Sequence, residues 1–312
     1  MMKIRFGVDV GGTTIKFGLF SGGEVPAETW ELPTRLGENG KYIFDDIAES
    51  LLSHTVEAGC TLQDVEGVGA GLPGTVLADG RVVRCINLGM RDVIFPQEME
   101  ARLPSVRTAC GNDANLAALG EAWKGAGRGC GSMFMFTLGT GVGGGAVLDN
   151  QIIHGAAGVG GEIGHITVNF EEREACNCGN RGCLEQYASA TGIVREARRL
   201  LAASQVDSSL RDIVNLTAKD VLDAARAGDS LALQVARQMG RYLAWSMSMV
   251  TMILDPEMFV IGGGVSRCGS FLIDLIREPF SRMIPLRSAV PEIRLAELGN
   301  NAGIYGAAHL FG

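Results

Sequence analysis

The segment IRFGVDVGGTTIKFGLF, residues 4–20, decides the fold because it joins two short apolar runs through a glycine pair. Residues 4–10 predict a buried strand that ends at the glycines, and residues 15–20 predict a second strand. A third strand is expected over residues 24–32. Two successive hairpins predict that the sheet begins with an antiparallel arrangement.

The elements further along the chain repeat this order. The first half continues with a predicted helix, two strands and a helix, at residues 42–58, 65–72, 106–110 and 113–123. The second half predicts two strands, a helical region, a strand, a helix, a strand and a terminal helix, at residues 132–138, 145–148, 188–254, 258–261, 271–283, 292–298 and 302–310. We interpret this repetition as an internal structural duplication. It predicts two α/β lobes with a ligand cleft between them.

Composition narrows the function class. The chain has 312 residues, a net charge of -8 and no dense cluster of lysine and arginine, so a nucleic-acid partner is not expected. The N-terminus lacks the apolar core of a secretory signal, and the longest apolar stretch, residues 243–254, is too short to span a bilayer. We therefore expect a cytoplasmic protein with no membrane partner.

Three glycine-rich turns are candidate phosphate or nucleotide sites. The first consists of Asp9, Gly11, Gly12, Thr13 and Thr14, where successive backbone N–H groups could cradle a phosphate. Asp9 would then orient Mg²⁺ through water, because an acid beside an anion site needs a cation. An ordinary hairpin turn is the alternative, and Lys16 is a surface lysine or a phosphate ligand.

The other two turns lie in the second half of the chain. Gly139, Thr140, Gly141 and Gly143 follow a predicted strand without the Gly-Lys-Ser/Thr ending of a P-loop, and they predict a second clamp on the β- and γ-phosphates. Gly263 and Gly264 follow another strand and could let adenine or ribose lie against the backbone. A simple strand-to-helix connection is the alternative for this third turn.

A cysteine cluster predicts a structural zinc site. Cys176, Cys178 and Cys183 form a C-x-C-x4-C pattern in a loop rich in turn residues, and His165 lies eleven residues upstream. Three thiolates and an imidazole suit a closed tetrahedral Zn²⁺ site. A disulfide or a reactive cysteine explains the pattern less well, and the other five cysteines are expected to be reduced thiols.

These motifs together resemble the ROK family (repressor, open reading frame, kinase), and within it most closely the bacterial glucokinases. The resemblance covers essentially the whole chain and is carried by the segments DVGGT (9–13), GLPG (71–74), NDAN (112–115), LGTGVGGG (138–145), GEIGH (161–165), CNCGNRGCLE (176–185) and SATG (189–192). One departure is Met90, since relatives often have tryptophan shortly after the Asn-Leu of this segment.

The resemblance implies an α/β fold of the actin-like ATPase type, with two RNase H-like lobes around a nucleotide cleft. It implies a small lobe of residues 1-115 plus 299-312 and a large lobe of residues 116-298 with the zinc loop and a helical dimerisation region. A homodimer is implied, with a tetramer as the alternative.

The resemblance also implies phosphoryl transfer from ATP, with Mg²⁺, to a hexose, with glucose as the expected substrate. Asp113 falls on the family's catalytic base, and the sugar contacts fall on Gly74, Asn112, Asp113, Glu162, His165 and Glu185. His165, Cys176, Cys178 and Cys183 fall on the zinc ligands.

Several alternatives stay open. Asp113 could serve only as the N-cap of its helix, and Glu162 could be a solvated surface acid. The hexose could be mannose, fructose, allose or an N-acetylated amino sugar. A sugar-responsive regulator lacking its DNA-binding domain is the second function class, and the early position of Asp9 argues against a preceding DNA-binding domain.

Overall fold

The computed structural model describes residues 3–312, and its contacts divide the chain into two compact units. The first unit contains residues 3–129, 145–161 and 300–312, and the second contains residues 130–144 and 162–299. The first unit joins residues that are far apart in sequence, because the C-terminal residues pack on the N-terminal sheet.

Strands and helices alternate through both units. In residues 3–312 the strands are β1 (Ile4–Val10), β2 (Thr14–Ser21), β3 (Glu28–Pro33), β4 (Val65–Leu72), β5 (Thr75–Val76), β6 (Arg81–Cys85), β7 (Met90–Ile94), β8 (Thr108–Asn112), β9 (Ser132–Leu138), β10 (Val142–Leu148), β11 (Gln151–Ile152), β12 (Met258–Gly262) and β13 (Glu292–Leu295). The α-helices of the same residues are α1 (Lys41–Glu57), α2 (Phe95–Glu100), α3 (Asp113–Lys124), α4 (Glu185–Ala188), α5 (Ala190–Ala203), α6 (Ala218–Arg226), α7 (Ser230–Leu254), α8 (Ser270–Met283) and α9 (Ala302–His309).

The two five-stranded sheets have the same plan. The first has the order β3-β2-β1-β4-β8, in which β1, β2 and β3 are antiparallel neighbours and β1, β4 and β8 run parallel. The second has the order β11-β10-β9-β12-β13, in which β9, β12 and β13 run parallel. The internal duplication predicted from the sequence is therefore visible in the strand orders.

Apolar strand residues form the core of the first unit. β1 is buried along nearly its whole length because both of its faces are covered, and this explains its almost continuous apolar run. Helices α1 and α2 add large side chains to the same cluster, which includes Phe6, Phe17, Phe44, Phe95 and Met99.

Helices α3 and α9 of the first unit approach each other closely at two glycines. A Cβ built on Gly120 would overlap the carbonyl oxygen of Ala302, and one built on Gly306 would overlap that of Leu116. Glycine is needed at these two positions because the two backbones are in direct contact.

Most strands and helices lie close to where the sequence predicts them, and the differences are mainly at strand ends and in short strands. β10 begins at Val142 rather than at residue 145, and β11 was not predicted. β3 begins at Glu28 rather than at residue 24, and β13 ends at Leu295 rather than at residue 298. The predicted helical region of residues 188–254 is divided among α4, α5, α6 and α7. A small antiparallel sheet of β5, β6 and β7, followed by α2, was not predicted.

The predicted lobe boundaries differ from the contact-based units. Residues 116–129 and 145–161 were predicted in the large lobe, but their contacts are within the first unit, while Gly299 was predicted in the small lobe and belongs to the second unit. For residues 116–124 the physical reason is the packing of α3 on α9. None of the helices within residues 3–312 combines the length and the apolar character that a membrane crossing requires.

Candidate functional site

In the first unit, two predicted site residues lie at the carboxyl ends of β1 and β8, the parallel strands on either side of β4. Asp9 near the end of β1 pairs with Gly71 of β4, and Gly71 pairs with Gly111 of β8, two residues before Asp113. A Cβ built on Gly71 would lie 3.6 Å from Oδ1 of Asp9 and 3.6 Å from Cα of Asp113. The sheet thus brings both acids to one edge, with a glycine between them.

The Asp9 carboxylate is partly buried beside the start of α9. A Cβ on Gly303 would come within 2.9 Å of its Cγ atom, so only glycine leaves room for the acid there. Burial raises the pKa of Asp9, and the positive charge of Lys16 partly opposes this rise. A desolvated carboxylate is stabilised by a cation, so this acid fits the predicted role toward Mg²⁺.

The first glycine turn is a tight hairpin between β1 and β2. The N–H of Gly11 donates to the carbonyl oxygen of Thr14 at 3.0 Å, and Thr34 holds the turn through its hydroxyl, which donates to the carbonyl of Gly11 at 2.7 Å. Gly12 and Thr13 are exposed at the tip. Lys16 extends toward Asn300, whose carbonyl accepts a hydrogen bond from Nζ at 3.4 Å.

The helix cap at the start of α3 is Asn112 and not Asp113. Oδ1 of Asn112 accepts from the N–H of Asn115 at 3.0 Å, while its Nδ2 donates to the carbonyl of Gly74 at 3.0 Å. The alternative that Asp113 serves as the N-cap is therefore wrong. Oδ1 of Asp113 accepts from the N–H of Ala114 at 2.8 Å.

Gly74 and Met90 both lie in tightly packed surroundings in the first unit. Gly74 has a φ of 107°, and a Cβ there would overlap the carbonyl oxygen of Arg84. Met90 is 2% exposed, and its side chain fills the space beside Gly40, which has a φ of 75°. The residue that departs from the family pattern is thus a core residue of the first unit.

In the second unit, the four predicted zinc ligands form one cluster. Their candidate ligand atoms all lie within 4.8 Å of one another, and they come from His165, Cys176, Cys178 and Cys183. Sγ of Cys176 is 3.8 Å from Nδ1 of His165, and Sγ of Cys178 is 3.7 Å from Sγ of Cys183. Tetrahedral zinc with metal–sulfur distances of about 2.3 Å has ligand atoms about 3.8 Å apart, so the cluster fits Zn²⁺.

The orientation of His165 reconciles the two roles predicted for it. Its Nδ1 atom is on the side of the cysteines, while its Nε2 atom lies 4.0 Å from Oε2 of Glu162. One ring nitrogen can therefore ligate a metal while the other remains for a hydroxyl group. The Glu162 side chain is 38% exposed, so its carboxylate is accessible to a ligand or to solvent.

Glu185 joins the zinc cluster to the second glycine turn. It begins α4 two residues after Cys183, and its Oε2 atom accepts from the N–H of Val142 at 3.0 Å. Within the turn, the N–H of Gly139 donates to the carbonyl of Gly141 at 3.0 Å. The sequence did not reveal the bond between Glu185 and Val142, because these residues are 43 positions apart and one partner is a backbone group.

In the third glycine turn, both the backbone conformation and the close packing require glycine at position 263. Gly263 has a φ of 84°, and a Cβ there would lie 2.5 Å from the carbonyl oxygen of Leu138 at the end of β9. Gly264 borders a cavity of about 350 Å³, which is lined among others by Ala190, Thr217, Leu222, Val265 and Arg267. Of these lining residues only Gly264 was predicted as a binding residue.

A second cavity adjoins the first. It has a volume of about 730 Å³, shares Ala190 and Thr217 with the smaller cavity, and reaches Thr140 and Thr191. Residues of the second and third glycine turns thus border two neighbouring cavities of the second unit, which share lining residues. Ala190 and Thr191 belong to the SATG segment, although no binding role was predicted for them, and the other helical residues of these cavities carry no motif.

The chain is similar to known sugar kinases in both sequence and structure. The chain is 43% identical to a glucokinase of Halalkalibacterium halodurans over 97% of this chain and 93% of that protein. A ROK hexokinase from Thermus thermophilus superposes with a TM-score of 0.83 at 30% identity, covering 98% of this chain and 97% of that one. A ROK glucokinase from Streptomyces griseus, solved with glucose and AMPPNP, superposes with a TM-score of 0.77 at 32% identity, covering 100% and 99%.

The predicted fold class is confirmed by these structures, since ROK hexokinases have the actin-like ATPase fold. The model of the ROK family matches residues 5–312, nearly the whole chain. With the glycine turns, the paired acids and the Cys₃His cluster all in place, this chain belongs to the ROK family.

Proposed function

We propose that this chain is a glucokinase, which transfers the γ-phosphoryl group of ATP to the 6-hydroxyl group of glucose. The observation that carries the proposal is its similarity to bacterial glucokinases over nearly the full length of both chains. The residue types support it, because phosphoryl transfer requires an acid that can act as a base, glycine turns that hold phosphates and polar groups that bind the sugar.

Asp113 acts as the general base in this proposal. Its backbone position is fixed at the carboxyl end of β8 by the capping bonds of Asn112. The carboxylate accepts the proton of the 6-hydroxyl group as that oxygen attacks the γ-phosphorus atom. The bond between phosphorus and the bridging oxygen of ADP breaks, and ADP leaves with the electron pair.

The glycine turns hold the phosphates. Gly11, Gly12, Thr13 and Thr14 offer backbone and hydroxyl donors in the first unit, and Gly139, Thr140, Gly141 and Gly143 do so in the second. Asp9 would hold Mg²⁺ through water, and the metal would neutralise charge on the phosphates. The cavity beside Gly263 and Gly264 suits the adenine and ribose of ATP.

Polar groups around the zinc cluster recognise the sugar. The carboxylates of Glu162 and Glu185 accept hydrogen bonds from ring hydroxyl groups, and Nε2 of His165 provides a further polar contact. Asn112 keeps one amide hydrogen beyond the one given to Gly74. Zn²⁺, when bound, supplies rigidity to this segment, because four protein ligands leave no open position for chemistry.

The assembly and the location of the protein are also part of this proposal. A homodimer and a cytoplasmic location follow from the family resemblance. Mannose, fructose, allose and N-acetylated amino sugars remain competing substrates, because the sugar contacts named above are common to hexose hydroxyl groups.

The proposal is tested by measuring ADP release with ATP and Mg²⁺ across a panel of hexoses. Glucose is expected to give the highest kcat/KM, with glucose 6-phosphate as the product. No phosphorylation of any hexose would refute kinase activity, and a clear preference for another hexose would refute the assignment of glucose.

A further inference from the structure

The second glycine turn is attached to one continuous segment of the second unit. At one end of that segment, the N–H of Val142 donates to Oε2 of Glu185 at 3.0 Å. At the other end, the N–H of Ala190 donates to the carbonyl of Gly139 at 2.8 Å, and the hydroxyl of Thr191 donates to the carbonyl of Thr140 at 2.9 Å. The backbone of the turn is thus fixed by residues 185–191.

The Glu185 end of this attachment leaves no spare space. A Cβ built on Gly141 would overlap Oε2 of Glu185, the same oxygen that accepts from Val142. The other oxygen, Oε1, lies 3.8 Å from Sγ of Cys176. The turn therefore occupies one carboxylate oxygen and leaves Oε1 on the side of the zinc cluster.

We propose that Gly141 and the N–H of Val142 are positioning elements of the sugar subsite, which orient the Glu185 carboxylate and make hexose binding and nucleotide binding interdependent. The inference rests on the proposed function, in which Glu185 binds a sugar hydroxyl and the turn binds phosphate. A nucleotide that orders the turn also orders the carboxylate, and by linkage the sugar improves nucleotide binding by the same factor.

Two glycines of the turn provide a matched pair for the test. Neither Gly139 nor Gly141 has a positive φ, so alanine meets no backbone strain at either position. A Cβ at Gly139 has no atom of the described residues within 4 Å, whereas one at Gly141 displaces the Glu185 carboxylate. Gly139→Ala and Gly141→Ala therefore add the same methyl group to the same turn and differ in their effect on Glu185.

The experiment is calorimetric titration of glucose into the zinc-loaded protein, without nucleotide and with saturating AMPPNP and Mg²⁺. In the parent protein AMPPNP should lower the glucose Kd at least about 5-fold. Gly141→Ala should raise the glucose Kd without nucleotide about 10-fold and remove the effect of AMPPNP. Gly139→Ala should leave the nucleotide-free glucose Kd within about 2-fold of the parent value.

A double-mutant cycle separates positioning from general damage. If Gly141 acts through Glu185, Gly141→Ala should have no further effect on the glucose Kd in a Glu185→Ala background. The double variant has room for the new methyl group, so it gives an answer even if Gly141→Ala alone folds poorly. Zinc content and circular dichroism monitor the fold.

Three outcomes would overturn the inference: a parental glucose Kd in Gly141→Ala, equal weakening in both glycine variants, or additive effects in the cycle. If the parent protein phosphorylates glucose and the variants give one of these outcomes, the proposed function stands and only the positioning role is refuted. A parent that neither binds nor phosphorylates glucose would overturn both.

Discussion

The phenol group of Tyr187 donates a hydrogen bond of 2.7 Å to Oε2 of Glu172, a carboxylate whose side chain is only 3% exposed. Arg199 binds both oxygens of the same carboxylate, at 2.8 Å and 3.0 Å, and Arg195 binds Oε2 at 2.9 Å. The bonds of Arg199 in particular hold the pKa of Glu172 well below its ordinary value. This buried anion ties the segment before the zinc loop to α4 and α5.

Neutralising this carboxylate should destabilise the second unit. Glu172→Gln keeps the volume of the side chain but removes the charge that Arg195 and Arg199 share, so we expect a loss of about 2–3 kcal/mol in the free energy of unfolding. Equilibrium urea unfolding measures it. Glu174→Gln is the control, because Glu174 contacts the same arginines but its side chain is 61% exposed and should contribute below about 1 kcal/mol. Equal losses in the two variants would contradict the role of burial.

Asp113→Asn should abolish most turnover while preserving the fold. Asparagine retains an oxygen that accepts from Ala114, but it cannot take a proton, so kcat should fall about 10²- to 10⁴-fold. The glucose Kd should change little. Steady-state kinetics with ADP detection measure this effect. Asp92→Asn is the control, because it makes the same replacement at an exposed aspartate. A kcat within tenfold of the parent value would rule out Asp113 as the base.

Cys178→Ser should release the metal. The protein is expected to hold a single zinc ion per chain, and loss of one thiolate should lower zinc affinity, Tm and glucose affinity together. Metal analysis and thermal unfolding measure these effects. Cys60→Ser serves as the comparison, since Cys60 lies outside the cluster. A parent protein purified without metal that cannot be loaded with zinc would exclude the site.

Stability should decrease on mild acidification because of two histidines of the first unit. In the part of the chain that the structure describes, Nδ1 of His154 and Nδ1 of His309 are buried without a hydrogen-bond partner. Burial lowers the pKa of both groups, and the charges of Arg5 and Lys124 lower that of His309 further. The folded protein keeps them neutral while the unfolded chain takes up protons, so stability is full above about pH 6.5 and falls as the pH drops below it.

Replacing one of these histidines should flatten that dependence. His309→Phe retains a ring that can stack on Trp123, 4.7 Å away between ring centroids, but it cannot be protonated. The difference in unfolding free energy between pH 7.5 and pH 5.5 should therefore be smaller than in the parent protein. Urea unfolding at the two pH values measures it, and an unchanged difference would show that His309 does not contribute.

Sequence patterns predicted most strands of the two large sheets because strands such as β1, β4, β9 and β12 are buried apolar runs that end near glycine. The two-residue strand β11 was not predicted. The patterns also missed β5, β6 and β7 because these strands are two to five residues long and the turns at Gly80 and Gly89 interrupt the pattern. Asp113 was an alternative candidate for the N-cap that the structure gives to Asn112, because asparagine and aspartate cap helices about equally well.

The zinc cluster could be predicted because its ligands are close in sequence and chemically distinctive. Glu172 could not, because an acid among other charged residues gives no sign that it will be buried beside Arg195 and Arg199. The bond from Val142 to Glu185 was equally hidden, since a backbone N–H carries no sequence signal.

The contact between Met90 and Gly40 has a consequence for protein engineering. A redesign that followed the family pattern given above would exchange Met90 for tryptophan, yet the flexible thioether fills a space bounded by a left-handed glycine. The indole ring is larger and stiffer, so that single exchange would overpack the interior. Libraries built on this scaffold should therefore vary residues 37–40 and 90 together.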